Sequence, residues 1–190
     1  MARKLVSTIM VLALFVSVIS LGVLALFTDT ASVPGNTFST GTVDISTAPS
    51  SALVTFSGMA PGDQVTNPLT VTNAGTLALR YAVTSTTTEN TLAAQLDLTI
   101  KSGVTTCTNG GFGTDGTVVY ATGDLGSTTG VNVIGNPAQG AQAGDRTLAA
   151  SAGETLCFNV SLPSSTGNTY QGLTTTATFA FQAEQTANNP

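Results

Sequence analysis

Three stretches of the chain alternate apolar and polar side chains with a period of two, and this pattern constrains the fold most strongly. They run over residues 77–83, 156–162 and 177–183. A period of two is typical of a strand with one face on a core and the other in water. Shorter stretches that also predict strands are Leu53–Ser57, Leu69–Thr72, Leu96–Lys101, Thr117–Thr122 and Val131–Ile134.

Turn-forming residues separate these strands, as at Pro61-Gly62-Asp63 and Asn73-Ala74-Gly75. Many short strands without a strong helical period favour an all-β fold, either a jelly roll or an immunoglobulin-like β-sandwich. We expect the sandwich to span residues 46–186, with surface loops at Thr84–Thr91 and Gly135–Ala152. Residues 187–190 are expected to form a disordered tail.

The N-terminus has the composition of an export signal. Arg3 and Lys4 precede an apolar run from Leu5 to Leu24, and small or short residues lead up to Ala25. This pattern predicts a signal peptide over residues 1–25 that is cleaved between Ala25 and Leu26. An uncleaved membrane anchor is an alternative, because about 20 apolar residues can span a bilayer. A pilin-type leader is disfavoured, since no Gly precedes the apolar run.

The charge and composition of the chain argue against nucleic acid as a partner. After cleavage, three basic and ten acidic side chains give a formal charge of −7. The basic residues Arg80, Lys101 and Arg146 are scattered, so nucleic acid is not an expected partner. Charged residues make up only 8% of the chain, against about 25% in typical soluble domains. The chain has 35 Thr instead, a residue that favours strands without repulsion between subunits.

The two cysteines, Cys107 and Cys157, are expected to form a disulfide in an oxidising compartment. Two free thiols in metal or redox chemistry are the alternative, but no CxxC spacing supports it. Cys157 falls on the strand face opposite Leu156 and Phe158, so the bridge is expected to pin a neighbouring loop outside the main core. The sequon Asn159-Val160-Ser161 lies on the same strand, with its Asn on the face predicted to be accessible.

Four blocks of the chain together resemble the TasA/camelysin family. The first is Phe27-Thr28-Asp29 with the following Gly35–Phe38 and Gly41–Ile45 segments. The others occur in family order, and they are Met59–Asp63, Val71–Leu77 and the segment that begins with Tyr170-Gln171-Gly172. The resemblance implies a jelly-roll domain that is exported through a dedicated signal peptidase. It also implies polymerisation into extracellular fibres, as in biofilm matrices and archaeal bundling pili.

The resemblance further implies that an N-terminal arm of one subunit completes the sheet of the next by donor-strand complementation. On this sequence the candidate donor is residues 26–45, with Phe27, Val33, Phe38, Val43 and Ile45 as side-chain anchors. The arm could instead fold back as the first strand of its own domain. Pro34-Gly35 suggests a break, so that the early half is donated while Phe38–Ile45 stays in its own domain.

Some members of the family are described as proteases, so the catalytic residues matter. The chain contains no His, which argues against an HExxH zinc site, a Ser–His–Asp triad and a Cys–His pair. We therefore expect no enzyme activity, no catalytic residues, no cofactor and no metal. Asp115, Asp124 and Asp145 lie in Gly-rich loops where calcium could gather oxygen ligands, but turn-forming Asp is the commoner explanation.

The sequence thus predicts a secreted structural subunit, located extracellularly or at the cell surface, whose main partner is another copy of itself. An accessory or anchoring subunit is a further candidate partner. The alternative function is a monomeric surface-binding module or adhesin on a retained membrane anchor.

Overall fold

The computed structural model describes residues 35, 37–51, 53–55 and 57–189. The chain divides into two units, Met1–Ser39 and Thr40–Pro190, and all the strands belong to the second. They form two antiparallel sheets that pack as a sandwich, which confirms the predicted fold class. Among the described residues, no helix is both long and apolar enough to cross a membrane. The predicted leader, residues 1–25, lies outside the described part.

The larger sheet has five strands in the order β1-β2-β8-β4-β5. In chain order they are β1 (Ile45–Ala48), β2 (Gln64–Asn73), β4 (Asp97–Ser102), β5 (Thr117–Asp124) and β8 (Gly153–Ser161). Strand β8 lies at the centre; it pairs with β2 along its full length and with β4 from Leu156 to Ser161. Residues Leu156, Phe158 and Val160 are buried on its inner face, as the alternation predicts.

The smaller sheet is built around β3 (Leu79–Thr87). One edge of β3 pairs with β6 (Val131–Ile134) and β7 (Arg146–Leu148), and the other pairs with β9 (Ala177–Gln185). A short 3-10 helix at Asn168–Tyr170 precedes β9. The core lies between the two sheets, and its largest fully buried side chains include Tyr81, Phe158, Leu79, Leu98 and Ile100.

The two ends of the sandwich differ, and their names are used below. The root end holds Thr42 and the turn 74–78, and β9 finishes there at Gln185. The cavity end holds the first residue of β2, Gln64, and the first residue of β9, Ala177. Strand β1 therefore runs from the root end toward the cavity end, whereas β9 runs from the cavity end toward the root end.

Three expectations about strands and loops are wrong. The described residues of Leu53–Ser57 contain no strand; Leu53 and Val54 pack against the core instead. Thr84–Thr87 belongs to β3 rather than to a loop, because β9 pairs with these β-branched residues. The Gly135–Ala152 loop contains β7, which pairs with the start of β3. At the C-terminus, Asn189 donates a hydrogen bond to the carbonyl of Gln185, while Pro190 is not described.

The disulfide pins a flap, residues 103–116, over the outer face of the five-stranded sheet. Cys107 and Cys157 are bonded, with their Cα atoms 5.7 Å apart. Lys101 holds the same flap, since its Nζ donates to the carbonyl of Phe112 and lies 4.7 Å from the centre of that ring. The prediction of a bridge outside the main core that pins a loop is therefore confirmed.

The expected accessibility of Asn159 is wrong. Its side chain is buried, and its amide donates to Thr66 Oγ1 at 2.6 Å and to Gln64 Oε1 at 2.9 Å. Both donor hydrogens of the amide are thus used inside the fold, so the sequon is not presented to solvent in the folded domain.

Candidate functional site

Strand β9 leaves one of its edges without a partner among the described residues. It pairs with β3 through nine consecutive residues and with no other described strand. Thr176 and Thr186, which flank β9, form backbone hydrogen bonds with the β3 side. Because hydrogen bonds alternate along an antiparallel pair, the even-numbered residues of β9 bond to β3. The N–H and C=O groups of five residues therefore point away from β3: Ala177, Phe179, Phe181, Ala183 and Gln185.

The same alternate residues turn their side chains toward the interior of the sandwich. Exposure alternates along β9, with Phe179 and Phe181 half-buried and Thr178 and Ala180 exposed. The ring of Phe179 meets that of buried Phe158 edge-on at 5.1 Å, and Phe181 lies 6.0 Å from Tyr81. The open backbone edge and the apolar face of β9 are thus presented together.

A cavity of about 560 Å³ lies beside this edge, between the two sheets. Its apolar wall comes from β2, β8 and β9, where Val65, Val160 and Phe179 contribute. Threonine and serine side chains form part of the lining, and Thr175 is one of them. The other described lining residues are Thr47, Pro49–Ser51, Leu53–Thr55, Met59, Leu69, Leu96, Leu125, Thr176–Thr178 and Phe181.

The chain segment that leads into β1 is fixed at the opposite, root end. The carbonyl of Thr42 accepts hydrogen bonds from the N–H groups of Thr76 and Leu77, and Thr42 N–H donates to Thr76 Oγ1 at 2.9 Å. Gly75 makes this approach possible, because a Cβ there would collide with the Thr42 carbonyl and lie 2.9 Å from the nitrogen of Asp44. The chain therefore joins the sandwich at Thr42, at the end away from the cavity.

The predicted donor anchors fall into two groups. Ile45 lies in β1 and pairs with Asn73 of its own domain, and Val43 beside it is 39% exposed. Phe38 belongs to the other unit and is 95% exposed. Phe27 and Val33 lie outside the described residues, as does the predicted cleavage position between Ala25 and Leu26. Of the three described anchors, Phe38, Val43 and Ile45, the structure thus incorporates only Ile45 into a sheet of its own domain.

The sequence does not predict the open edge of β9. The period-two pattern identifies Phe179 and Phe181 as inward-facing residues of a strand, but it does not show that the strand is an edge. That property depends on which strands lie beside β9, and the strand order is a long-range feature of the fold.

The comparison with protein families identifies the family of this chain. The family model described as camelysin metallo-endopeptidase matches residues 1–189, nearly the entire chain. The chain belongs to the camelysin family. The resemblance to the TasA/camelysin family is therefore confirmed, and members of this family are typically found at the cell surface or secreted. The comparison with curated proteins gives no match.

The family name implies a metal, and the residues of this camelysin-family chain do not fit one. The chain has no His. In the described part, no three side chains of His, Cys, Asp or Glu group closely enough to hold a metal ion. The one ionisable acid outside that part is Asp29. The donor set needed for a catalytic zinc, three protein ligands that converge on one position, is therefore missing from the described residues.

The acidic side chains instead accept hydrogen bonds that hold loops in place. Glu89 accepts from the backbone N–H groups of Thr91, Leu92 and Ala93, and these bonds hold its pKa below the ordinary value although desolvation opposes them. Asp115 accepts from the N–H of Thr105. Asp145, which was considered as a calcium ligand, accepts from the N–H groups of Asn136 and Gln142. The third calcium candidate, Asp124, lies at the end of β5 opposite Asp97.

A partly buried ionic group also has a structural role. Glu154 on β8 accepts hydrogen bonds from Arg146 and from the hydroxyl of Tyr81, whose O–O distance is 2.8 Å. Burial and the neighbouring Glu154 raise the pKa of Tyr81 far above its ordinary value. The group thus ties β7 and β3 to β8 across the sandwich, and its polar atoms satisfy one another.

Proposed function

We propose that the protein is a structural subunit of an extracellular fibre, and that it polymerises head to tail when the N-terminal arm of one copy completes the smaller sheet of the next. The open edge of β9 beside an apolar cavity carries this proposal. An added strand would pair with the outward backbone groups of β9 and would fill the cavity with its side chains.

Backbone pairing and apolar burial would both stabilise the added strand. The outward N–H and C=O groups of Ala177, Phe179, Phe181 and Ala183 on β9 are open to water or to an added strand, whereas the Gln185 carbonyl accepts a hydrogen bond from Asn189. Burying one side chain the size of Phe or Val contributes roughly 1.5–3 kcal/mol. An arm that places two such side chains in the cavity would therefore gain both main-chain pairing and apolar burial.

The positions of the two features favour an open chain of subunits. The arm joins its domain at the root end, whereas the cavity lies toward the other end of the sandwich. A contact between two different surfaces does not close on itself unless the rotation returns to the start. Repetition of the same contact therefore generates a filament.

The donor segment ends before β1. Because Thr42 and Ile45 are bound to their own domain, we assign the donor role to the part of the arm before Thr42, with Phe27 and Val33 as anchors. Phe38, the third predicted anchor before Thr42, then lies in the segment that joins the donated strand to its own domain. Export and cleavage after Ala25 by a dedicated signal peptidase would release this arm. An accessory or anchoring subunit is a further partner in the proposal. We propose no proteolytic activity, since the residues do not fit the metal that the family name implies.

The test compares the secreted form that begins at Leu26 with a truncated form that begins at Thr42. We expect filaments by negative-stain electron microscopy only from the longer form, while circular dichroism shows the same β-fold in both. A control that also begins at Leu26, Phe27→Ser with Val33→Ser, retains the arm but removes its two anchor side chains. We expect it to assemble at least tenfold more slowly, given the burial energy above. Filaments from the truncated form would overturn the proposal.

The alternative function is a monomeric adhesin on a retained anchor. The N-terminal residue of the extracellular protein distinguishes it from the fibre subunit. Intact mass analysis of material from the cell surface is expected to show Leu26 as the first residue. A protein that keeps residues 1–25 and remains monomeric would favour the anchored module instead.

A further inference from the structure

Building on the proposed function, we infer the polarity and register of the donated strand. It consists of residues 26–34 of a second copy and runs antiparallel to β9. It pairs so that Val33 of the donor lies opposite Ala177 of the acceptor and Phe27 lies opposite Ala183.

The lengths of the two segments match. Strand β9 has nine residues, and Leu26–Pro34 also has nine. At about 3.3 Å per residue, each extends over roughly 30 Å. Pro34 has no N–H for a ladder, so it marks the end of the paired part. The seven residues Gly35–Gly41 that remain before Thr42 can bridge up to about 25 Å, enough to cross from one subunit to the next.

Side-chain sizes fix the register. On one face of the donor, the side chains along the chain are large at residue 27, smaller at 29 and 31, and large at 33. On the inward face of β9 they are small at residue 177, large at 179 and 181, and small at 183. Opposite residues in a sheet point to the same side, so these series interlock when each large side chain meets a small one. The four pairs are Phe27 with Ala183, Asp29 with Phe181, Ala31 with Phe179, and Val33 with Ala177.

A shift of one residue would destroy this match. It would turn Thr28, Thr30 and Ser32 toward the cavity and would leave Phe27 and Val33 in water. The inferred register instead places one charged side chain, Asp29, on the cavity face. That cavity opens to solvent and is partly lined by hydroxyl groups, including that of Thr47 on β1, which can donate to a carboxylate.

The size pattern reads the same in both directions, so polarity must come from topology. The chain is bound to its own domain at Thr42, at the root end. An arm donated to a second copy would therefore leave its subunit at that end, and its N-terminus would extend farthest into the acceptor. If that root end stacks on the cavity end of the next subunit, the arm enters there and its N-terminus points toward the acceptor's root end. The donated chain then runs from root end to cavity end, opposite to β9.

Other arrangements give the reverse polarity. An arm that returned to its own β9 would have to finish at its own root end, so it would run parallel to β9. Two subunits joined root end to root end would also exchange parallel strands, and this reciprocal contact closes as a dimer. Among these arrangements, only the antiparallel strand belongs to an open head-to-tail polymer.

Paired cysteine substitutions in the secreted full-length protein test the inference. Val33→Cys with Ala177→Cys, and Phe27→Cys with Ala183→Cys, place sulfurs on residues that the antiparallel register makes neighbours. The matched controls use the same four positions in the other combinations, Phe27→Cys with Ala177→Cys and Val33→Cys with Ala183→Cys. After mild oxidation, non-reducing electrophoresis reports covalent ladders, since a disulfide requires Cα atoms less than about 7 Å apart.

We expect ladders from the first two variants at roughly tenfold higher yield than from the controls, because the control pairs would lie about 20 Å apart. Ladders from the controls instead would show parallel donation and overturn the polarity while the donor function stands. Cross-linked monomers from the controls would show self-insertion, which overturns both. Filaments without a cross-link in any variant would show that β9 is not the acceptor, and the proposed function would then fail.

Discussion

The two long edge strands of the sandwich, β9 and β5, are built very differently. Strand β9 pairs with its neighbour in an unbroken register over nine residues and alternates half-buried with exposed side chains. The pairing of β5 with β4 shifts between Leu98 and Ile100 and again between Ile100 and Lys101. Most of β5 is exposed, including Val118 at 52%. An open cavity lies beside β9.

This difference favours β9 over β5 as the edge that the proposed donor strand would join. Bulges twist an edge and interrupt its ladder, which is a common protection against unwanted pairing. The shifts in β5 give that protection, and the flap 103–116 is connected directly to it. Strand β9 has neither device, and it combines a regular backbone with an apolar interior face. We therefore assign strand addition to β9 and solvent contact to β5.

The strongest test of this difference between the two edges is to introduce a charge on each of them in turn. Ala177→Asp places a carboxylate on the cavity face of β9 opposite the apolar Val33 of the proposed donor. It also adds a second negative charge to a face that already receives Asp29, so the new carboxylate would be buried without a partner. We expect filaments to form at least about a hundredfold more slowly, because an unpaired buried charge costs several kcal/mol. Light scattering and electron microscopy measure the rate of filament formation. Residue 177 is only half-buried in the isolated subunit, so its fold should persist.

The matched control is Ala121→Asp on β5, where the residue is exposed. We expect this variant to assemble at the rate of the parent protein. If Ala121→Asp blocked assembly while Ala177→Asp did not, the roles of the two edges would be reversed. Thermal unfolding of both variants separates an assembly defect from a folding defect.

Removal of the disulfide tests whether the β5 side takes part in assembly. The bridge joins residues 50 apart, so its loss through Cys107→Ala with Cys157→Ala should lower the free energy of unfolding by about 2–4 kcal/mol. Because the bridge pins the flap on the five-stranded sheet, we expect the β9 edge to keep its acceptor role. Denaturant titration measures the stability, and filament growth is measured well below the melting temperature. Loss of growth in a folded sample would place the flap in the interface.

The sequence predicted the strands best where local pattern decides them. Alternation located β3, β8 and β9, because burial of one face is recorded directly in residues such as Leu79 or Phe158. It failed at Leu53–Ser57, where apolar residues fill space against the core without a strand partner. It also missed β7, a three-residue strand within a Gly-rich stretch that offers too little alternation to detect.

The candidate site was less predictable, because edges and cavities arise from strand order. Nothing local in Phe179 or Phe181 shows that β9 has one partner rather than two. The burial of Asn159 likewise depends on Gln64 and Thr66 of a strand far away in the sequence. The cysteine pair was predictable because two cysteines allow only one pairing within the chain, and the structure contains it.

The smallest expected effect concerns how β9 is held at the root end. The amide of Asn189 and the guanidinium of Arg80, whose Nε lies 2.7 Å from Glu184 Oε1, hold the pKa of Glu184 below its ordinary value of 4.5, although desolvation opposes them. A lowered pKa in the folded state means that the ionised form stabilises the fold above pH 4.5. That contribution is lost as the pH falls through the folded-state value.

We therefore expect Glu184→Gln to lower the melting temperature by a few degrees at most at pH 7, and the difference from the parent to close in acid below the ordinary pKa. Scanning calorimetry between neutral and acidic pH measures this. The control is Glu89→Gln, whose acid dependence has the same sign but which lies outside β9. Glu184 is at the root end, away from the cavity, so we expect its variant to form filaments at pH 7. If Glu184→Gln alone abolished filaments in a folded protein, the acceptor region would extend along β9 beyond the cavity to the root end.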